Sequence, residues 1–229
     1  MQNLNIIYED NHIIVVQKIP NIPSQGDKTG DVDMLTIIKE YIKNKYNKPG
    51  NVYLGLVHRL DRPVGGVMVF AKTSKAAARL SEEVRLRELK KSYLVVVDGK
   101  MEKDKDTLED YLLKNEKNNM SKVVNEGTKN AKNAKLDYEV LKYDSDINLS
   151  VLRIHLHTGR HHQIRVQLSS RNHSIYGDQK YGTRGRGKQI ALWAYELTFK
   201  HPTKKEEMTF RCLPEFNKTW KILEDIENI

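Results

Sequence analysis

Runs of alternating apolar and polar residues, separated by short turn sequences, constrain the fold of this chain more than any other feature. KLDYEVLKYD (residues 135–144) and INLSVLRIHLH (147–157) lie around the turn sequence SDIN, and this arrangement predicts a β-hairpin. NIIYEDNHIIVVQK (5–18) has the same form, with its turn at Asp10 and Asn11. Such pairs favour antiparallel strands, because a tight turn joins antiparallel neighbours whereas parallel strands need a long crossover.

Apolar residues at helical spacing occur in only a few segments between these strands. The mixture predicts an α+β fold on a largely antiparallel or mixed sheet, not a regular βαβ alternation. Residues 102–133 are polar and interrupt the pattern, and we predict edge strands and loops there. Four helices are predicted: 34–46 capped by Asp33, 75–91 capped by Thr73 or Ser74, one in TGRHHQIRVQLSSRN (158–172) capped by Thr158, and 214–226 with Pro214 near its start.

Positive charge is the second constraint. The 229 residues include 39 Lys and Arg against 30 Asp and Glu, which gives a formal net charge of +9. A basic protein of this size commonly binds an anionic partner, and nucleic acid is the leading candidate. A lysine-rich proteome would produce the same balance, since lysines also occur in patternless loops such as KNEKNNMSK. The charge alone leaves both interpretations open.

The cysteine count and the apolar runs indicate the compartment. Cys212 is the only cysteine, which excludes an internal disulfide framework and a cysteine-based zinc site and fits a reducing cytoplasm. The N-terminal residues lack the basic segment and long apolar core of a signal peptide. No apolar run approaches the roughly 20 residues that span a bilayer. We therefore expect a cytoplasmic protein without a membrane segment.

A charged stretch, HRLDR (58–62), lies between the two apolar runs VYLGLV (52–57) and GGVMVFAK (65–72). Charges beside buried strands are costly unless they are paired. One interpretation is a surface turn with its charges in water; the other is an active-site loop that holds Asp61 ready. Arg165 offers the bidentate guanidinium that would keep such a carboxylate ionised. An aspartate flanked by arginines is more often a surface ion pair, so the residues alone leave both interpretations open.

The histidine-rich segment HLHTGRHH (155–162) raises the question of a metal site. His155 and His157 lie on one face of a predicted strand, which is a workable ligand pair. No cysteine or carboxylate stands at ligand spacing nearby, and the neighbouring arginines oppose a dication, so we predict no metal. Hydrogen-bonded or phosphate-contacting histidines are the preferred interpretation. The predicted helix start here and the basic loop GTRGRGK (182–188) both suit phosphate groups.

Five stretches, in order along the chain, resemble the motifs of the RluA-type RNA pseudouridine synthases. Their order and spacing make the resemblance specific, and it extends from about residue 6 to residue 213. The stretches are HRLDR (58–62), KKSYLVVVDG (90–99), LHTGRHHQIRVQL (156–168), SIYGDQKYG (174–182) and IALWAYELTFKHP (190–202).

This resemblance implies an α+β pseudouridine-synthase fold, with a long mixed, mostly antiparallel sheet, flanking helices and a central cleft. It implies an isomerase that converts uridine in ribosomal or transfer RNA into pseudouridine without a metal or an organic cofactor. Members often carry an N-terminal S4-type RNA-binding domain. The first predicted strand begins near residue 4, so we expect a single catalytic domain over residues 1–229, acting as a monomer without an obligate protein partner.

The resemblance also implies roles for individual residues. Asp61 would be the catalytic residue, Arg165 the cation that pairs with it, and Tyr93 the ring that stacks on the target uracil and takes part in proton transfer at C5. Arg59 would hold the extruded nucleotide. With the basic loops included, the predicted substrate-binding residues are Arg59, His58, Arg62, Arg160, His162, Gln163, Arg184, Arg186 and Lys188.

Two departures from the family pattern stand out. Residues 63–66 are Pro-Val-Gly-Gly where the family commonly has Thr-Ser-Gly, and Trp193 stands where it often has histidine. The glycine turn is kept, so we expect activity to be retained. Two alternatives are an inactive RNA-binding module of the same fold and a metal-dependent nuclease that uses the histidines. The presence of Asp61, Tyr93 and Arg165 together favours the synthase.

Overall fold

A computed structural model describes residues 4–182, 187–216, 219–224 and 226 of the chain. They form an α+β fold of eleven strands, three α-helices and one 3₁₀ turn. The strands are β1 (Asn5–Glu9), β2 (Ile13–Lys18), β3 (Gly55–Leu56), β4 (Gly65–Ala71), β5 (Lys90–Asp98), β6 (Lys105–Asn115), β7 (Met120–Val124), β8 (Lys132–Asp144), β9 (Leu149–Leu156), β10 (Leu192–Lys200) and β11 (Glu207–Arg211). The helices are α1 (Met34–Lys45), α2 (Ser74–Leu86) and α3 (Gln163–Ser169), and the 3₁₀ turn is Lys221–Leu223.

The chain forms two compact units. The first comprises Met1–Lys91 and Ala194–Leu213, and the second comprises Ser92–Trp193 and Pro214–Ile229. The chain therefore passes between the units three times: inside β5, inside β10 and after Leu213. The single catalytic domain expected from the sequence stays a prediction.

The first unit contains a sheet with the strand order β1-β2-β4-β10, to which β3 adds at β4 and β11 at β10. The β1-β2, β2-β4, β3-β4 and β10-β11 pairs are antiparallel, and the β1-β2 pair is the hairpin predicted for residues 5–18. Alternate residues of β2 and β4 pack against α2 and against Leu197 and Phe199 of β10. This core contains Ile13, Val15, Val67, Val69, Ala71, Ala76, Leu80, Leu89, Leu197 and Phe199, all buried.

Both helices of the first unit begin where the sequence predicts. The Asp33 carboxylate accepts from Thr36 N at 3.0 Å, and the Thr73 hydroxyl accepts from Ala76 N at 3.2 Å, so each side chain satisfies a free N–H group of the first turn. The predicted extension of the second helix to residue 91 is wrong. Arg87 adopts a left-handed conformation with φ 62°, and the chain then enters β5.

Gly66 allows β4 to lie close to β10. Its φ of +125° is a conformation that L side chains rarely adopt, and an added Cβ would approach Ala194 O to 2.2 Å. Glycine at position 66 is therefore required by the backbone conformation and by the packing against β10.

The second unit contains a sheet with the order β5-β9-β8-β6-β7, and each neighbouring pair is antiparallel. The predicted hairpin is confirmed as β8 and β9, with a register shift between Val140 and Lys142. The polar segment 102–133 contains the hairpin of β6 and β7, with β7 at the end of the strand order. The expected edge strand is present as β7, whereas β6 is an inner strand paired with both β8 and β7.

Two helix predictions in the second unit are wrong. Helix α3 begins at Gln163, five residues after Thr158, because His162 has a left-handed backbone with φ 53°. The Thr158 hydroxyl instead accepts from Lys135 N and donates to Gln163 Oε1, both at 2.8 Å. In the predicted C-terminal helix, residues 214–216 form no regular element and only the 3₁₀ turn is helical among the described residues.

None of the helices in the described ranges combines the length and apolar composition that crossing a bilayer requires.

Candidate active site

Asp61 lies at the start of a tight turn in the first unit. Its carbonyl accepts from Val64 N at 2.9 Å, so residues 61–64 form a turn with Arg62 and Pro63 at its corner. Asp61 itself is half-buried. Pro63 pre-sets the backbone of a corner residue and leaves the turn without a donor there. The proline that departs from the family pattern is thus a turn residue in this chain.

The backbone on both sides of Asp61 is anchored by the segment that follows β2. The Ser24 hydroxyl donates to Leu60 O at 2.9 Å and accepts from Leu60 N at 3.2 Å. The Lys18 ammonium donates to Arg62 O at 2.9 Å and to Val64 O at 2.6 Å. Asn21 N also donates to Arg62 O, at 2.8 Å. The turn is therefore anchored both before and after the aspartate.

Lys18 and Ser24 were missed by sequence reasoning. A detectable signal was present for Lys18, because it ends the predicted strand, two residues after the apolar run IIVV. The lysine side chain is completely buried. Burial lowers the pKa of Lys18 to about 7, and Arg62 also lowers it, whereas the negative charge of Asp61 raises it.

His58, a predicted substrate-binding residue, is buried beneath the turn. Its Nε2 atom accepts from Val69 N at 3.1 Å, which ties the start of the HRLDR stretch to β4. Burial, and secondarily the charge of Lys91, hold the pKa of His58 well below its usual value. The ring is therefore neutral and carries its proton on Nδ1. These contacts support the turn, and a direct contact with substrate stays a prediction.

The two arginines of HRLDR have different surroundings. Arg59 is exposed, as its predicted role in holding a nucleotide requires. The Arg62 guanidinium donates to Asp31 and to the Thr29 hydroxyl, the latter at 3.0 Å, and lies 3.6 Å from Asp27. The pKa of the Asp31 carboxyl is lowered by its hydrogen bond with Arg62 and by Thr29. Arg62 thus pairs with an acidic loop of its own unit, and its binding of RNA stays a prediction.

Tyr93 and Arg165, the other predicted catalytic residues, lie in the second unit. Tyr93 is buried in β5, paired across the strands with Ile154. Arg165 lies in the first turn of α3 with its side chain 4% exposed. The predicted pairing of Arg165 with Asp61 and the stacking of Tyr93 on uracil stay predictions.

Arg165 forms a bidentate pair with Asp178, a residue that the site prediction did not include. Arg165 Nε and Nη2 each donate to a different Asp178 oxygen at 2.7 Å, and the aspartate side chain is 0% exposed. Lys180 N and Tyr181 N also donate to Asp178, at 2.9 and 3.2 Å. Burial raises the pKa of Asp178, but Arg165 and these N–H groups outweigh it and lower the pKa. The signal was present in the sequence, since Asp178 lies in the motif stretch SIYGDQKYG.

The predicted anion-binding residues at the start of α3 form a hydrogen-bonded network within the second unit. Gln163 Oε1 accepts from Arg160 N at 3.0 Å, and Arg160 Nε donates to Asn133 O at 2.7 Å. His162 Nδ1 is 2.9 Å from the Tyr181 hydroxyl, and its ring stacks on that of His161. These contacts explain how the loop is held, while its contact with RNA stays a prediction.

The remaining predicted residues divide between described and undescribed positions. Lys188 is exposed, and Arg184 and Arg186 lie outside the described residues. The two histidines considered as a ligand pair have protein partners. His155 Nδ1 is 2.9 Å from the Ser92 hydroxyl, and His157 Nε2 is 2.6 Å from an Asp137 oxygen.

Comparison with known proteins gives the same family as the motifs. A family model described as RNA pseudouridylate synthase matches residues 12–170. A protein of Aquifex aeolicus named as an uncharacterized RNA pseudouridine synthase is 34% identical over 220 residues, which cover 90% of this chain and 68% of that protein. The dual-specificity RNA pseudouridine synthase RluA of Escherichia coli is 32% identical over 219 residues, covering 93% of this chain and 94% of RluA.

Solved structures agree at the level of the fold. The human RNA pseudouridylate synthase domain containing 4 superposes with a TM-score of 0.80 at 22% identity, covering 97% of this chain and 94% of the human chain. The fold predicted from the motifs is thereby confirmed.

Proposed function

Because the chain belongs to the RNA pseudouridylate synthase family and is an isomerase that acts on RNA, we propose that Asp61 is its catalytic residue. The reaction is an isomerisation of a uridine within the RNA. The bond between N1 and C1′ breaks, the uracil turns, and C5 bonds to C1′, while the proton lost from C5 is balanced by one gained at nitrogen. No oxidant, reductant or second substrate enters this balance.

The observation that carries the assignment is the anchoring of the HRLDR turn. The backbone of Leu60 and of Arg62 is held from within the first unit, which leaves the Asp61 side chain between two fixed points. A carboxylate that attacks C1′ or removes a proton from C2′ must be both ionised and aimed. A turn anchored on both sides of Asp61 fixes the backbone from which the carboxylate acts.

The second unit is proposed to supply the remaining groups. Arg165, held by Asp178, pairs with the Asp61 carboxylate and keeps it charged, and Tyr93 stacks on the target uracil. Arg59 holds the nucleotide after it leaves its stack, which any enzyme acting on a base within structured RNA requires. The net charge of +9 supports binding to the phosphate backbone.

The target is proposed to be ribosomal or transfer RNA. The relative named as a dual-specificity synthase supports a target class wider than a single RNA. We further propose that the protein works in the cytoplasm, as a monomer, without an obligate protein partner.

The test compares wild type with Asp61→Asn on RNA from the source organism. Pseudouridine is located by carbodiimide treatment and reverse transcription, in cells lacking the gene and in cells supplied with either version. We expect one or a few stops to vanish with the gene and to return with wild type alone, because the amide can neither attack nor accept a proton. Asp146→Asn in the exposed β8–β9 turn removes the same charge and should restore every stop.

Purified protein distinguishes the inactive binding module from the enzyme. Asp61→Asn should bind RNA with wild-type affinity and lose at least about 1,000-fold in single-turnover rate, as expected when a group that acts on the reacting atoms is removed. If wild type binds RNA but forms no pseudouridine on any transcript, the chain is a binding module. If Asp61→Asn turns over at the wild-type rate, another residue does the chemistry.

A further inference from the structure

We propose that the first unit carries a second RNA-binding surface, where helix α1 ends beside the ends of β1 and β4, and that this surface binds backbone phosphates of the substrate away from the target uridine. The inference rests on the proposed function only in taking RNA as the substrate, and it does not depend on the role of Asp61. The Tyr46 surface, as we call it, consists of one tyrosine, three lysines and one carboxylate: Tyr46, Lys45, Lys48, Lys72 and Glu9.

Three segments that are distant in the sequence meet at this surface. Lys45 is the last residue of α1, and Tyr46 is its C-cap. Glu9 ends β1, and Lys72 directly follows β4. The arrangement is therefore a product of the tertiary fold, since a local run of lysines would contain only the helix residues.

The Glu9 carboxylate joins the three segments. One of its oxygens accepts from Lys45 Nζ at 2.7 Å, and the other accepts from Lys72 Nζ at 2.6 Å and from the Tyr46 hydroxyl at 2.9 Å. The Tyr41 hydroxyl also donates to Glu9, at 2.9 Å. Burial raises the pKa of Glu9, but these four hydrogen bonds outweigh it and lower the pKa to about 2. The carboxylate is thus always charged near neutral pH and fixes the ring and two of the lysines.

The Tyr46 ring is the point on which the three lysines converge. The ammonium nitrogen lies 4.8 Å from the ring centroid for Lys72, 5.4 Å for Lys45 and 6.0 Å for Lys48. Ammonium groups at these distances are attracted by the ring. Lysine side chains are otherwise flexible, and ordering them when a ligand binds costs entropy. Here much of that ordering is already present in the free protein.

Positive charge is in excess at this surface. Glu9 is the ion-pair partner of both Lys45 and Lys72, so one negative charge faces two ammonium groups, and Lys48 adds a third. The excess faces solvent, because Tyr46 is 45% exposed and the side chains of Lys45 and Lys48 are also exposed. The surface therefore presents preorganised positive charge to a partner in solution.

A structural role for these lysines explains only part of the arrangement. A cation in the last turn of a helix interacts favourably with the helix dipole, which accounts for Lys45. It does not account for Lys72, which lies after a strand, or for Lys48, which follows the helix cap. Three ammonium groups around one ring also repel each other, and a bound polyanion would relieve that repulsion.

The position of the surface identifies which part of the RNA it would bind. The Asp61 turn precedes β4 and Lys72 follows it, so the two lie at opposite ends of this strand. From residue 64 to residue 72 an extended strand covers roughly 25 Å, at about 3.3 Å per residue. A structured RNA is longer than this, so it can reach the surface while its target uridine lies at Asp61. Lysines bind phosphates as point charges and do not read the bases, so the surface should add affinity without choosing the uridine.

The test measures how the affinity of the purified full chain for RNA depends on salt. The long probe is a transcript with the mapped uridine and its flanking structure, and the short probe is a stem-loop trimmed to that uridine. For Lys45→Gln combined with Lys48→Gln, affinity for the long probe should fall about 10-fold and the salt slope by about 1 to 2, since each lysine–phosphate contact contributes about 1 to that slope. Affinity for the short probe should stay within about twofold of wild type, because that RNA does not reach the surface.

A matched control removes the same charge elsewhere in the first unit. Lys204→Gln combined with Lys205→Gln changes two exposed lysines in the turn between β10 and β11. This variant should keep the wild-type affinity and salt slope on both probes. The single-turnover rate at saturating RNA should equal that of wild type in both double variants, because neither alters the Asp61 turn.

Lys48→Gln alone covers the case in which loss of Lys45 disturbs the Glu9 contacts. The structure gives Lys48 a contact with the Tyr46 ring and places it after the helix cap, so the urea midpoint should be unchanged. Its salt slope on the long probe should fall by about 1.

A wild-type salt slope on the long probe in both surface variants would overturn the inference, and so would equal losses on the long and short probes. Equal losses in the surface and control variants would show a general effect of net charge and would overturn it as well. A failure of the proposed function looks different, since wild type would then form no pseudouridine. Binding needs no turnover, so ribosomal and transfer RNA transcripts would replace the mapped RNA as the long probes.

Discussion

The Asp61 turn of the first unit and the start of helix α3 in the second hold their functional side chains in opposite ways. At the turn, a buried cation binds the backbone carbonyls that follow the aspartate. At the helix, a buried anion binds the functional side chain directly, because Asp178 accepts two hydrogen bonds from the Arg165 guanidinium. The first arrangement aims a group through its backbone, and the second clamps the group itself.

The difference follows from what each residue is proposed to do. A carboxylate that acts on C1′ or C2′ must keep an oxygen available for the substrate, so it is best held by its backbone. An arginine that only tunes a neighbouring charge can use some of its five N–H donors on a permanent partner. We therefore expect substitutions in the two regions to change the unfolding free energy by different amounts.

The largest effect is expected from breaking the clamp on Arg165. Asp178→Asn removes the charge that faces a buried guanidinium and should cost about 3–5 kcal/mol of unfolding free energy, as is typical when one partner of a buried ion pair is lost. Urea unfolding measures this cost. Asp110→Asn, in the same unit, is the matched control, because Asp110 also forms a bidentate pair, with Arg171, at a partly exposed position. Equal losses in the two variants would mean that burial does not distinguish the pairs.

The two regions should affect the pH dependence of stability in different ranges, Lys18 at alkaline pH and Asp178 at acidic pH. The folded-state pKa of Lys18 is lowered by burial to about 7, below the ordinary 10.5, so the unfolded chain binds the extra proton between these values. Stability due to Lys18 therefore rises with pH from about 7 to about 10.5, on the order of 1 kcal/mol per pH unit. The unfolding free energy of wild type minus that of Lys18→Met should therefore become more positive as the pH rises over that range.

Asp178 should affect the unfolding free energy at acidic pH instead. Its pKa is raised by burial but lowered on balance by Arg165 and two backbone N–H groups, to below the ordinary 3.8. Its stabilising contribution is present above pH 3.8 and is lost as the pH falls through the lowered value. The wild-type advantage over Asp178→Asn should shrink there. Parallel stability curves for wild type and both variants between pH 2 and 10 would contradict both assignments.

The smallest effect is expected at Arg62, the exposed counterpart of Arg165. Its side chain is 39% exposed and that of its partner Asp31 is 52% exposed, so water screens the pair. Arg62→Gln should leave the urea midpoint unchanged within error. RNA affinity, measured in parallel, then reports only on the predicted contact of Arg62 with substrate. A large fall in the urea midpoint would show that the pairing with the 27–31 loop organises the Asp61 turn.

Much of the fold could be predicted because its signals are local. Antiparallel hairpins follow from alternation around a turn sequence, as at β1–β2 and β8–β9. Helix starts follow from one side chain and an N–H three residues later, as at Asp33 and Thr73. The predicted start of α3 was wrong where a distant contact prevailed. Thr158, which looks like a cap, bonds instead to β8 through Lys135 N.

The candidate site divides in the same way. The motif stretches identify Asp61, Tyr93 and Arg165 as candidates, since each stretch is a short pattern within a few residues. Nothing in those patterns identifies Lys18, which is separated from Val64 by 46 residues along the chain. Asp178 stands inside a motif stretch, but only its distance to Arg165, 13 residues away, shows what it does.

The sequence by itself determined the family, the α+β class, the hairpins and the capped starts of the first two helices. It did so because those properties depend on residue type and on spacing over a few positions. Only the tertiary structure decided that a lysine would be buried against the Asp61 turn, that helix α3 would begin at Gln163, and that Asp178 would hold Arg165. Each of these depends on desolvation and on partners brought from distant segments, and neither can be read from neighbouring residues.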